Sequence, residues 1–209
     1  MVARCIAKAE MKKRTITPHR SGPLRGSRLR PRAWLTVQVE LVQGRGEHYW
    51  PRPGRIFAAA ADHSFAQLAT AIDDAFARWD RSHLHEFELG DGTRIGIAEA
   101  EWEGDEPVLD ERLVKLSRLK PEQQFVYVFD LGDDWAHLCT TGKAHINPLE
   151  TLGILPDRPL PYFGWGAVPD QYGRAWSGDD GEAQPPRDPA LTDLPPLRPA
   201  WGPRRRASS

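Results

Sequence analysis

The chain is poor in sulfur and has no long apolar run, and each shortage removes a class of protein. Two cysteines, Cys5 and Cys139, stand among 209 residues. Two thiols cannot build a disulfide framework or a four-thiolate zinc site, so reduced side chains are expected. No stretch approaches the roughly 18 consecutive apolar residues of a membrane-crossing helix. The basic N-terminus lacks the apolar segment of about 7–15 residues that a secretory signal requires, so a cytoplasmic protein without membrane attachment is the default expectation. A Gly-rich phosphate loop is missing too, and there are too few strand–helix repeats for a doubly wound nucleotide fold.

Charge is plentiful but segregated. Residues 1–33 carry ten Lys or Arg against one acid, Glu10, a net of +9, whereas residues 34–176 carry 13 basic and 23 acidic side chains, a net of −10. The formal total of −1 therefore hides two opposed parts. In the basic stretch Pro18, Gly22, Pro23, Gly26 and Pro31 break any regular element. Residues 177–209 hold seven prolines and no periodic apolar pattern, the composition of a disordered segment. The expected organisation is one domain over 34–176, between a flexible basic arm (1–33) and a disordered Pro-rich tail (177–209).

Within the domain, Trp34 to Val42 alternates apolar and polar residues and reads as a strand closed by Gly44 and Gly46. A second strand is expected around Arg55 to Ala60. Ser64 precedes Gln67 at capping-box spacing, and Phe65, Leu68, Ala69, Ile72, Phe76 and Trp79 recur along one helical stripe, with Asp73, Asp74 and Arg78 on the expected solvated side. His83 to Leu89 reads as a third strand, turned by Gly90-Asp91-Gly92 toward a short partner at Thr93 to Ile97. Leu113, Leu116 and Leu119 suggest a short helix or turn. Phe125, Tyr127, Phe129 and Leu131 share one face of the next strand and Val126 and Val128 the other, which predicts burial on both sides. Gly132 then turns the chain back through Trp135 to Ala144. This order predicts an α+β domain, a small mixed or antiparallel sheet with one main amphipathic helix packed on one face.

The run His83-Leu84-His85-Glu86-Phe87 shortly after an amphipathic helix, followed by Phe125-x-Tyr127-x-Phe129-Asp130-Leu131-Gly132-Asp133-Asp134-Trp135-x-His137, resembles the plasmid pRiA4b ORF-3-like domain. The resemblance spans Trp34 to Trp176. The ribbon Tyr162 to Arg174 is similar to the C-terminal segment of one branch of that family and departs from the Gly-Gly ending of many members. Some members are labelled passenger proteins of insertion elements. The resemblance implies a fold and a mobile-element or plasmid origin more firmly than an activity.

Alternation along a strand puts His83 and His85 on one face, and Asp130, Asp133 and Asp134 surround the turn that precedes His137. If the two strands are neighbours, His83, His85, Asp133 and His137 are the preferred ligands for a divalent ion, zinc or manganese. The plainer reading keeps the aspartates as turn residues and the histidines as satisfied structural polar groups. Cys139 shares a face with His137 and is expected to be a buried small apolar residue. The aromatics Tyr162, Phe163, Trp165, Tyr172 and Trp176 either stack a ligand or plug the edge of the core, and Asp170 with Arg174 is spaced for a local ion pair. In the arm, Arg25, Arg28, Arg30 and Arg32 are candidates for nucleic-acid phosphates. The alternative is a solvated tail, or a stretch upstream of a start at Met11 or later. The preferred reading of the whole is a non-enzymatic interaction or accessory protein with an unidentified protein partner. A metal-dependent hydrolase or nuclease using the His/Asp cluster is the alternative.

Overall fold

The computed structural model describes residues 32–97 and 107–174. By its contacts the chain divides into residues 1–31 and 32–209, and every element below belongs to the second unit. Expectations for the arm before Arg32, the acidic loop at 99–106 and the tail fall outside the described residues.

Among the described residues nine strands form one sheet in the order β6-β5-β4-β7-β8-β1-β3-β9, with β2 paired to β1. They are β1 (Trp34–Gly44), β2 (Glu47–His48), β3 (Gly54–Ala60), β4 (His85–Leu89), β5 (Arg94–Gly96), β6 (Val108–Asp110), β7 (Gln124–Phe129), β8 (Trp135–Thr141) and β9 (Leu160–Trp165). All pairs are antiparallel except β5 with β6. The helices among the described residues are α1 (Phe65–Ala75), α2 (Pro148–Leu152) and a 3₁₀ turn at Leu116–Arg118. The domain is therefore mainly β, and the α+β expectation fits it only loosely.

Helix α1 starts where the sequence places it. Gln67 N–H donates to Ser64 Oγ at 3.2 Å and Ser64 N–H to Gln67 Oε1 at 2.9 Å, which closes the capping box. It stops earlier than the apolar stripe implies: Phe76 N–H still bonds Ile72 O, but Ala77 takes a positive φ of 60°, so Trp79 lies beyond the helix. Phe65, Leu68 and Ile72 are buried against Val37, Val39, Phe57, Phe87, Phe125 and Tyr127, which alternate along four strands and face the same way. Phe65 meets Phe87 edge-on at 5.0 Å.

Two expectations need correction. The second face of β7 is open, with Val126 37% exposed, because only a small cluster of Trp34, Ala58, Ala60, Ile146, Leu152 and Tyr162 covers that side, at one end of the sheet. The polar side of α1 is not uniformly solvated either. Asp73 and Arg78 are buried, Asp73 against Tyr127 of β7 and Arg78 over the Trp135 ring of β8, whereas Asp74 keeps a side chain 58% exposed. Strands β6 and β9 and helix α2 carry no strong periodic signal. Tertiary pairing produces both strands, and α2 is fixed locally by the Asn147 cap, Pro148 in its first turn and Gly153 after it.

Substitution in the covered face and at the cap should separate two contributions. Phe87→Ala is expected to cost about 3–5 kcal/mol and Ser64→Ala about 1 kcal/mol in urea unfolding. A loss near zero for Phe87→Ala would mean that the helix does not sit on this face.

Candidate functional site

Strand β4 pairs with β7 and β7 with β8, so the histidine-bearing segment and the aspartate-rich bend are neighbours. His85 lies opposite Phe129, Phe87 opposite Tyr127, and Tyr127 opposite His137. The aspartate that reaches a histidine, however, is Asp130. Its Oδ2 lies 3.0 Å from His83 Nδ1, while its Oδ1 accepts from the N–H groups of Gly132 and Asp133 at 3.0 and 3.3 Å. Asp130 sits at φ 56°, a left-handed conformation that the short Asp side chain tolerates. One carboxylate therefore holds both the turn and the imidazole.

His83 Nε2 lies 2.9 Å from the Tyr172 hydroxyl, which donates to Asp80 Oδ2 at 2.6 Å. With its proton committed to Asp80, the Tyr172 oxygen lies within hydrogen-bond reach of the His83 ring, whose other nitrogen faces Asp130. The chain Asp130–His83–Tyr172–Asp80 ties the β7–β8 turn, the segment before β4 and the C-terminal ribbon together. Burial and the Asp80 hydrogen bond push the Tyr172 phenol up to about 12, so it serves as a donor and not as a base.

The ribbon is anchored at further points. Gln171 exchanges hydrogen bonds with the Asp80 backbone at 3.0 and 3.1 Å, and Trp79 Nε1–H donates to Asp170 at 3.2 Å. The Asp170–Arg174 ion pair forms at 2.7 Å within a turn rather than a helix, and the Arg174 guanidinium lies 4.5 Å from the Trp79 ring centre. Of the other ribbon aromatics, Tyr162 packs in the small cluster and Phe163 stays 54% exposed.

A second polar group lies along the covered face. His85 Nε2 is 2.8 Å from Glu111 Oε2. Burial opposes a charge on this imidazole, but the hydrogen bond and charge of Glu111 outweigh it and the net shift is upward. Tyr127 O–H donates to Asp73 Oδ1 at 2.8 Å inside the protein, and burial raises the Asp73 carboxyl to about 7. His137 is fully buried, its Nδ1 3.3 Å from Tyr127 O, and burial with the nearby Arg78 charge lowers it to about 3. Its neighbour on the same face, Cys139, is a buried free thiol whose pKa burial pushes far up, the state of a packing residue rather than a nucleophile.

The four ligand candidates thus have separate engagements. His83 is held by Asp130 and Tyr172, His85 by Glu111, Asp133 by Arg45 Nη1 at 3.3 Å, and His137 by the strand backbone. Among the described residues no group of three or more His, Cys, Asp or Glu side chains is arranged to hold a metal ion. Of the arm candidates, Arg25, Arg28 and Arg30 lie outside the described residues. Arg32 pairs with Asp62 at 2.5 Å, its guanidinium carbon 5.4 Å from the Trp34 ring centre. Sequence reasoning missed Asp80, Glu111, Asp73 and Arg78, and it marked Tyr172 only as one aromatic of the ribbon. Glu111 stands 26 positions from His85, Asp73 54 from Tyr127 and Asp80 92 from Tyr172, separations that carry no local signal.

The sequence profile of the plasmid pRiA4b ORF-3-like protein matches residues 36–152, more than half of the chain. The chain belongs to this family. A crystal structure of a protein of unknown function from Methanosarcina mazei Go1 is similar, with a TM-score of 0.52 and 23% identity over 68% of this chain and 75% of that one. At that identity the likeness speaks for the fold alone. No curated protein matches. Among the described residues of this pRiA4b ORF-3-like protein, no helix is long and apolar enough to cross a membrane.

Two outcomes are expected in solution. Adding zinc or manganese to metal-free protein should leave Tm unchanged, and a saturable rise lost in His83→Ala would instead assemble the four candidates around an ion. Asp73 and His137 should bend the stability profile in opposite senses. The folded state keeps a proton on Asp73 that the unfolded chain has released above its ordinary 3.8, so this contribution is full below 3.8 and lost as pH rises through about 7. The unfolded chain protonates His137 at its ordinary 6.5, so stability is lost as pH falls from there toward about 3. In Asp73→Asn, which keeps an acceptor for Tyr127, the downward contribution to Tm between about pH 4 and 7 should disappear, and an unchanged slope across that window would remove Asp73 as its source.

Proposed function

We propose that this domain is a non-enzymatic accessory protein of plasmid or mobile-element origin that works by binding another protein through the open face of its sheet. The observation that carries this reading is the register of the uncovered strands. Val126 of β7 lies opposite Leu138 of β8, Leu138 opposite Glu40 of β1, and Ile56 of β3 opposite Phe163 of β9. With Val128 they give one side of the sheet two apolar patches, Val126, Val128 and Leu138 on β7–β8 and Ile56 with Phe163 on β3–β9, separated by Gln38 and Glu40 of β1; Val126 and Phe163 are 37% and 54% exposed. Solvated sheet faces normally carry polar residues at these positions, and exposed apolar patches set among polar residues are a mark of an interaction surface.

Charge narrows the partner. Glu88 borders Val126 on β4 and Glu40 lies beside Leu138 on β1, between the two patches, in a domain whose net charge over 34–176 is −10. A complementary surface is apolar, with Lys or Arg set against these two acids. A hydrolase or nuclease built on His83, His85, Asp133 and His137 would require these side chains to leave their present partners, and the divalent-ion titration above tests it.

A photo-crosslinking residue at Val126, introduced in host cells, is expected to yield a discrete protein adduct that the same residue at Asp91, on the β4–β5 turn, does not. Reversal of both acids, Glu40→Lys with Glu88→Lys, should weaken that adduct at least several-fold. Equal labelling at Val126 and Asp91, or indifference to the charge reversal, would end the proposal.

A further inference from the structure

We propose that the cleft beside the C-terminal end of α1 binds a small phosphate-type oxyanion, with Arg78 as the residue that receives it. The cleft has a volume of ≈ 430 Å³, the size of a small ligand, and its walls include Arg55, Asp73, Asp74, Arg78, Arg81 and Leu160. Three of these six are arginines. Arg78 is fully buried, and none of its three guanidinium nitrogens has a hydrogen-bond partner among the described residues. Its charge rests on the face of Trp135, 3.6 Å from the ring centre, which offers attraction but accepts no hydrogen bond.

A buried guanidinium with all its N–H groups unused is costly, and a planar fork of donors is matched by the oxygens of a phosphate or carboxylate. The remaining wall charges do not cancel it. Arg81 and Asp74 neutralise each other at 2.5 Å, and Asp73 gives one oxygen to Tyr127 while burial raises its carboxyl pKa and weakens it as a counter-charge. Arg55 holds the carbonyls of Gly54 and Trp165 through Nη1 at 2.7 and 2.8 Å and adds a second positive charge. The end of α1 contributes about half a negative charge, less than the two guanidiniums together.

The Arg78 nitrogens lie behind the cleft wall, so entry requires a wall group to move. The Arg81–Asp74 pair is suited to this, its side chains being 39% and 58% exposed, and because Arg81 Nε also donates to Arg78 O at 2.7 Å, Nη2 can release Asp74 while the guanidinium stays beside Arg78. We infer that Arg81 exchanges Asp74 for the incoming anion and that Arg78 then binds it bidentately. Duplex nucleic acid is too large for this cleft, so the ligand class is inorganic phosphate or a small phosphomonoester.

The test is thermal unfolding of the full chain in inorganic phosphate, in glycerol 3-phosphate and with a short DNA duplex, each against chloride of equal ionic strength. Wild type should gain about 3–5 °C in Tm at about ten times Kd for either small phosphate and nothing specific from the duplex. Arg78→Met removes the unpartnered charge at similar volume, so it should fold at least as stably in chloride and lose the phosphate response. Arg81→Glu, at the exposed rim, should keep the fold and raise Kd at least tenfold. An identical Tm in phosphate and chloride, a response that survives Arg81→Glu, or a response only to the duplex would overturn the proposal.

Discussion

The antiparallel register of β4, β7 and β8 is the constraint on which the rest depends. It sets Phe87, Tyr127 and His137 side by side across three strands, with Leu41 of β1 next in the same row. Because side chains alternate, slipping any of these strands by one residue would turn Val126, Val128 and Leu138 inward and expel the aromatic row. Helix α1 can bury Phe65, Leu68 and Ile72 only on the aromatic side. The same row carries polar consequences: Tyr127 lies under α1 and donates to Asp73, and the strand before it brings His85 to Glu111 and His83 to Asp130.

Polar groups enter this interior in two ways. Asp73, His85 and His83 are each matched to an acceptor or donor, so their burial costs little and fixes the geometry of the turns around them. Arg78 and His137 are not fully matched, and Arg78 relies on Trp135. Trp135 can lie there because residue 44 is glycine: a Cβ at that position would stand 2.0 Å from its ring. A residue that looks like a strand terminator thus makes room for the ring under a buried charge.

The functional reading follows from where satisfaction ends. The His, Asp and Tyr side chains around the β7–β8 turn already use one another, and they bind the C-terminal ribbon to the sheet. Unused capacity lies elsewhere, in the apolar patches on the open face and in the guanidinium beside α1. Membership of the pRiA4b ORF-3-like family and likeness to an archaeal structure of unknown function agree with the fold and leave both surfaces to direct measurement.

The sequence by itself determined the start of α1, through Ser64 and Gln67, and the alternating strands β1, β4, β7 and β8. Local chemistry decides such features: capping spacing, period-two alternation and turn residues act within a few positions. The tertiary structure alone decided that Asp130 and not Asp133 meets His83, that Tyr172 and Glu111 supply the remaining partners, and that Asp73 and Arg78 are buried although their helix spacing reads as solvated. Strands β6 and β9 likewise exist because a paired edge satisfies their backbone. These outcomes rest on contacts between residues tens of positions apart, and a periodicity within one element carries no information about what the rest of the chain folds over it.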